Sequence, residues 1–205
     1  MDFIYNALVF VLKILLKIFF PYEVRGIENF KNFENDGFLI CSNHVSNIDA
    51  IFIVVNFNKK IYFLAKSELF KNRVMSSILQ NLGAIPISRG KHDLEAINKA
   101  KDILNFNKIL TIFIEGKRSK TGKFLRPRSG ATIIANETNS SILPVCITPS
   151  NGKNVKIFRK TRIQFGPMIN RIDLQENSYK EIRNATEMIM DNIKALRHRD
   201  QTGKI

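Results

Sequence analysis

Between residues 37 and 148, short apolar runs alternate with helical patterns, and this alternation limits the fold more than any other feature of the chain. Gly37–Ser42, Ile61–Ala65, Ala84–Ile87, Ile109–Ile114 and Ile142–Thr148 are dense in apolar residues over lengths suited to buried strands. Between them, Lys66–Leu82 reads as a helix closed by Gly83. Asp93–Phe106 sets Leu94, Ile97, Ala100 and Leu104 on one helical face, and Gly130–Thr138 reads as a shorter helix. Such alternation predicts an α/β fold, a largely parallel central sheet flanked by helices. Pro86 lacks a donor N–H, so its run is irregular or near an edge. Val155–Phe158 and Arg162–Phe165 read as a late strand pair, and Tyr179–Arg199 as a closing helix built on Ile182, Thr186, Ile189, Ile193 and Leu196. The 205 residues suffice for one well-cored domain and a short appendage. The one candidate boundary is at Pro21–Gly26, dividing residues 1–20 from a domain over 21–205.

Phe3–Phe20 is almost wholly apolar, and Pro21 stops it. Its length approaches that of a spanning helix, yet Lys13 and Lys17 lie within it. At about 100° per residue, Asp2, Asn6, Lys13 and Lys17 share one sector, while Phe3, Ile4, Leu8, Phe10, Val11, Leu12, Ile14, Leu15, Ile18 and Phe19 cover the rest. That is the pattern of a helix lying in a membrane interface. A helix packed on the domain is the alternative, and a spanning helix would require both lysines to snorkel. A signal peptide fits poorly, because the start is not basic and no small-residue cleavage site follows. The 32 Lys+Arg against 18 Asp+Glu give a net charge of +14, which calls for an anionic partner: nucleic acid, an anionic membrane, or a phosphorylated substrate. Together these point to peripheral binding through anionic lipids. Cys41 and Cys146 have neither disulfide nor metal-ligand spacing and read as small buried hydrophobes, so no metal is expected.

The chemistry sits at the ends of the apolar runs. Asn43-His44-Val45-Ser46-Asn47-Ile48-Asp49 follows the first of them. A histidine can accept a hydroxyl proton near neutral pH, and a carboxylate beside it can hold the ring's tautomer. On a continuous helix His44 and Asp49 would be about 140° apart. They meet if a turn enters a helix with Asp49 in its first turn. Ser46-Asn47-Ile48-Asp49 also reads as a capping box with Asp in the acidic place, so Asp49 caps, orients the imidazole, or does both. Glu115-Gly116-Lys117-Arg118-Ser119-Lys120 follows another run, with Gly122, Arg126 and Arg128 beyond it, and Ser88-Arg89-Gly90-Lys91 follows a third. Open α/β sheets bind ligands beyond the carboxyl ends of their strands. Arginine forks suit phosphate there, and glycine admits backbone amides to an oxyanion.

Four blocks in order over residues 40–148 resemble the glycerolipid acyltransferases typified by 1-acyl-sn-glycerol-3-phosphate acyltransferase. Asn43–Asp49 resembles the family's N-H-x-S-x-x-D, and Gly83–Arg89 its second block. Phe113–Ser119 is similar to F-P-E-G-T-R-S, and Ile142–Val145 to the fourth block. The resemblance implies acyl transfer from a thioester, acyl-CoA or acyl carrier protein, to the hydroxyl of lysophosphatidic acid, giving phosphatidic acid on the cytoplasmic face of the cell membrane. It implies no cofactor and no covalent acyl-enzyme. It makes His44 the general base and Asp49 its orienting partner, and it places Arg89, Glu115, Gly116 and Arg118 at the phosphorylated acceptor. Ile114 and Lys117 depart from the family's proline and threonine, which puts the acceptor's head group in question. Lys66 lies in a further family-like segment. Another lysolipid is the nearest alternative. A non-catalytic basic lipid- or nucleic-acid-binding protein is a more distant one, and no nucleic-acid module with stacking aromatics is present. A hydrolase lacks its G-x-S-x-G.

Overall fold

The strands of the predicted α/β domain are β1 (Tyr22–Arg25), β2 (Leu39–Ser42), β3 (Ile61–Lys66), β4 (Ala84–Ile87), β5 (Ile109–Phe113), β6 (Ile142–Pro149) and β7 (Thr161–Phe165). In this computed structural model, which describes residues 3–33, 36–87, 93–176 and 178–201, they form one seven-stranded sheet ordered β1-β7-β6-β2-β5-β3-β4. All of these pairings are parallel except β6 with β7. The largely parallel sheet flanked by helices is therefore as expected. The carboxyl ends of β2, β3, β4, β5 and β6 all lie at one edge.

Two layers cover the sheet, because alternate residues of a central strand face opposite sides. Leu39 and Cys41 of β2 enter one core with α4 (Asp93–Asn105), α5 (Gly130–Glu137) and α6 (Tyr179–Gln201). Ile40 enters the other core, on the side of α1 (Phe3–Phe19), α2 (Asp49–Val54) and α3 (Arg73–Asn81). All four β2 residues are fully buried, and each such aliphatic side chain contributes roughly 1.5–3 kcal/mol. Cys41 and Cys146 are free and buried, and burial raises both thiol pKa values.

Two readings change. Lys66–Leu82 is not one helix: Lys66 ends β3, Ser67–Phe70 is a 3-10 turn, and α3 starts only after Asn72. The Asn72 side chain accepts from the Met75 amide at 3.1 Å, and so starts the helix there. Val155–Phe158 is not a strand, because both edges of β7 are already taken, by β6 and β1. The candidate boundary at Pro21–Gly26 contains β1, paired from Tyr22–Thr161 to Arg25–Gln164.

Helix α1 packs Tyr5, Val9 and Leu16 into the core, with Leu8 and Leu12 against it. The Tyr5 hydroxyl donates to the Lys59 carbonyl at 3.1 Å, and burial pushes its pKa up to about 12. A second apolar stripe, including Phe3, Phe10, Ile14 and Ile18, stays exposed. The helix is thus both packed on the domain and uncovered along another face. No described helix is long and apolar enough to cross a membrane.

Candidate active site

Beyond β2, the chain leaves the sheet without leaving its hydrogen bonds unmade. Asn43 is fully buried, its side-chain amide donates to the Ile147 carbonyl at 2.9 Å, and its carbonyl oxygen accepts from the Ile147 amide at 2.8 Å. The side chain acts as one more strand residue against β6, so the main chain is free to turn at His44.

The turn leads into α2, and Asp49 in its first turn reaches back. Its Oδ2 lies 2.7 Å from His44 Nδ1 and accepts from the amides of Val45 at 2.6 Å and Ser46 at 2.7 Å. The Ser46 contact is the returning half of a capping box, but Ser46 Oγ meets the Ile48 amide at 3.5 Å rather than the Asp49 amide. A carboxylate only accepts, so its contact with Nδ1 assigns the proton to Nδ1 and leaves the Nε2 lone pair free to act as a base. The imidazole is stacked on Phe113, with centroids 4.0 Å apart and planes 12° apart. Its side chain is 17% exposed, whereas Asp49 is fully buried. Burial strengthens the charge-assisted bonds that hold the ring.

The loop after β5 is tied to the same turn. The Ser119 amide donates to the His44 carbonyl at 2.8 Å, and the Ile114 amide to Ser42 at 3.0 Å. The Arg128 amide donates to the Ile114 carbonyl at 2.8 Å, closing the loop at its base. Gly116 sits at φ +68°, and a Cβ there would lie 2.6 Å from Arg128 Cδ, so glycine suits both the backbone and the space. Gly116, Lys117 and Arg118 are exposed, and among the described residues Arg118 has no hydrogen bond or ion pair. His44, Asp49, Gly116 and Arg118 thus gather at one sheet edge. Arg89 lies outside the described residues. Lys66 pairs with Glu68 at 2.7 Å, both about half exposed, a surface contact of little energetic weight.

Glu115, expected at the acceptor, is buried beneath the loop. Only 2% of it is exposed, and neither carboxylate oxygen has a hydrogen-bond partner among the described residues. Burial pushes its pKa up to about 7; the amides of Leu125 and His44, close by but short of hydrogen-bond geometry, and the Arg197 charge oppose the shift, and Asp49 adds to it. Because its folded pKa lies above the unfolded value, its contribution to stability is present below about pH 4.5 and is lost as pH rises through about 7. Glu115→Gln should therefore match the parent at pH 4.5 and exceed it at pH 8 by up to roughly 3 kcal/mol in urea unfolding. Equal stabilities at pH 8 would contradict this.

Arg197 and Phe113 were not legible as site components. Arg197, from α6, donates to the Gly122 carbonyl at 2.9 Å and lies 3.8 Å over the Phe124 ring, bracing the loop from behind.

The acyltransferase family model matches residues 21–148. The chain is 27% identical over 191 residues to the 1-acyl-sn-glycerol-3-phosphate acyltransferase of Bacillus subtilis (strain 168), covering 92% of this chain and 94% of that one. It is 33% identical over 149 residues to the enzyme of the same name from Helicobacter pylori (strain J99), covering 71% of this chain and 61% of that one. The crystal structure of the 1-acyl-sn-glycerophosphate acyltransferase from Thermotoga maritima superposes with a TM-score of 0.76 at 21% identity, over 96% of this chain and 79% of that one. At that identity the likeness is one of fold.

Proposed function

The chain belongs to the acyltransferase family, and we propose that it transfers a fatty acyl group from a thioester to the free hydroxyl of 1-acyl-sn-glycerol-3-phosphate, giving phosphatidic acid. The observation that carries this reading is the convergence of His44 Nδ1 and two backbone amides on Asp49 Oδ2 beside an exposed arginine loop. His44 Nε2 takes the hydroxyl proton as the acceptor oxygen bonds to the thioester carbonyl carbon. Asp49 steadies the imidazolium that forms. Collapse of the tetrahedral intermediate breaks the carbon–sulfur bond, and the proton on Nε2 passes to the departing thiolate. A thiol of pKa about 8.5 leaves readily, so neither a covalent acyl-enzyme nor a cofactor is required, and acyl-CoA or acyl carrier protein serves as co-substrate.

Arg118, with Arg89 and the Gly116 turn, receives the acceptor phosphate. Lys117 adds a further cation where the motif that this loop resembles has threonine. The uncovered stripe of α1 supports peripheral attachment to anionic lipids on the cytoplasmic face of the membrane. Thiol release measured with acyl-CoA and a panel of lysolipids tests the acceptor. Arg118→Ala should raise the KM for lysophosphatidic acid about tenfold or more, the worth of a lost bond to a charged group, with kcat nearly kept. An unchanged KM would remove Arg118 from the acceptor site.

A further inference from the structure

The loop between β6 and β7, residues 150–160, stands at the same sheet edge as His44. It exposes two large apolar side chains, Ile157 (56%) and Phe158 (69%), among Lys153, Lys156, Arg159 and Lys160. Lys160 pairs with Glu23 at 2.8 Å. Lys153, Lys156 and Arg159 have no ion pair among the described residues.

The loop has a built shape. Asn151 Oδ1 accepts from the amides of Lys153 at 2.9 Å and Asn154 at 3.2 Å, and the Ser150 amide closes the base on Lys160 at 2.9 Å. Phe158 is held at φ +57°, a left-handed conformation that bulky residues seldom adopt. Both sides of the loop are anchored. Phe158 donates its amide to the Phe19 carbonyl at 2.7 Å, satisfying a carbonyl at the end of α1, and the two rings lie 6.1 Å apart. A Cβ on Gly122 would lie 1.8 Å from the Gly152 carbonyl oxygen, so this loop presses directly on the loop that carries Arg118.

We propose that the β6–β7 loop is a second membrane anchor, which inserts Ile157 and Phe158 into an anionic bilayer and seats Lys153, Lys156 and Arg159 on its headgroups. The apolar tip prolongs the uncovered stripe of α1, where Ile18 and Phe19 are exposed. An apolar tip ringed by cations is complementary to a bilayer interface, where rings and chains bury and lysines meet phosphate. The β6–β7 loop lies between the end of α1 and the acceptor loop, so a lysolipid would reach His44 from the membrane plane. The inference rests on the reading of α1 as lying on a bilayer.

The test is cosedimentation of the full chain with vesicles of phosphatidylcholine and phosphatidylglycerol in equal parts. Ile157→Ser with Phe158→Asn removes both insertions, and asparagine tolerates the left-handed backbone, so folding is preserved. This pair should weaken partitioning about tenfold or more. Turnover of a monomeric short-chain lysophosphatidic acid should stay unchanged. Lys153→Gln with Lys156→Gln should lower binding to these vesicles about fivefold per lysine but leave binding to pure phosphatidylcholine unchanged. Wild-type partitioning by the Ile157/Phe158 variant, or no vesicle binding by the parent, would overturn the proposal. Intact vesicle binding with turnover lost only for a protein-borne acyl donor would also overturn it, assigning the loop to the donor. Absence of thiol release from the parent would instead overturn the acyltransferase reading, since sedimentation decides the anchor without any turnover.

Discussion

Replacing His44 with alanine is expected to lower kcat for thiol release by about 10²- to 10⁴-fold, the usual worth of a positioned general base. The loss should fall on kcat, because nothing places the imidazole at the acceptor phosphate. The fold should survive. Asp49 keeps the Val45 and Ser46 amides when the ring is gone, and Asn43 still closes the ladder against Ile147. What is lost is one charge-assisted bond and the stacking on Phe113, a cost of about 1–3 kcal/mol. Urea unfolding and steady-state kinetics on the same preparation separate the two effects. Retained kcat would remove His44 from the chemistry.

The second large effect is expected at Asp49. Asparagine can offer one oxygen to the amides, but as a neutral acceptor facing three donors it holds the imidazole less firmly and does nothing for the imidazolium. Its NH₂ would also occupy the position of Oδ1, which has no partner among the described residues. We expect Asp49→Asn to lower kcat about 10²-fold or more and to cost about 1–3 kcal/mol of stability. A residue that only caps α2 would lose stability and keep its rate. Because one oxygen serves both the ring and the amides, both losses should appear together. In a double variant with His44→Ala the rate should fall no further than with His44→Ala alone, since Asp49 acts through the ring. Additive losses would give Asp49 a separate role.

The sequence made the central strands legible because they are buried on both faces and carry continuous apolar runs, as in Leu39–Ser42 and Ile142–Thr148. Strand β1 was not legible. Tyr22–Arg25 is short and half polar, and it is a strand only because β7 lies beside it in space. Val155–Phe158 shows the converse: its composition suits a strand, but its neighbour β7 is already paired on both sides, with β6 and β1. The His44–Asp49 contact followed from local logic, a turn leading into a helix. The buried position of Asn43 did not, because it depends on Ile147, distant in the chain, and that of Glu115 did not either.

Direct acyl transfer to a lysophosphatidic acid hydroxyl, with His44 as the base, is tested most directly by product analysis by mass spectrometry, with the purified parent or its His44→Ala variant, acyl-CoA and lysophosphatidic acid. Only the parent should turn over at its full rate. Phosphatidic acid should form in a one-to-one ratio with released thiol, with no acyl group on the protein at any time and no thiol release without acceptor. Free fatty acid in place of phosphatidic acid, or an acylated protein that forms before product, would contradict it.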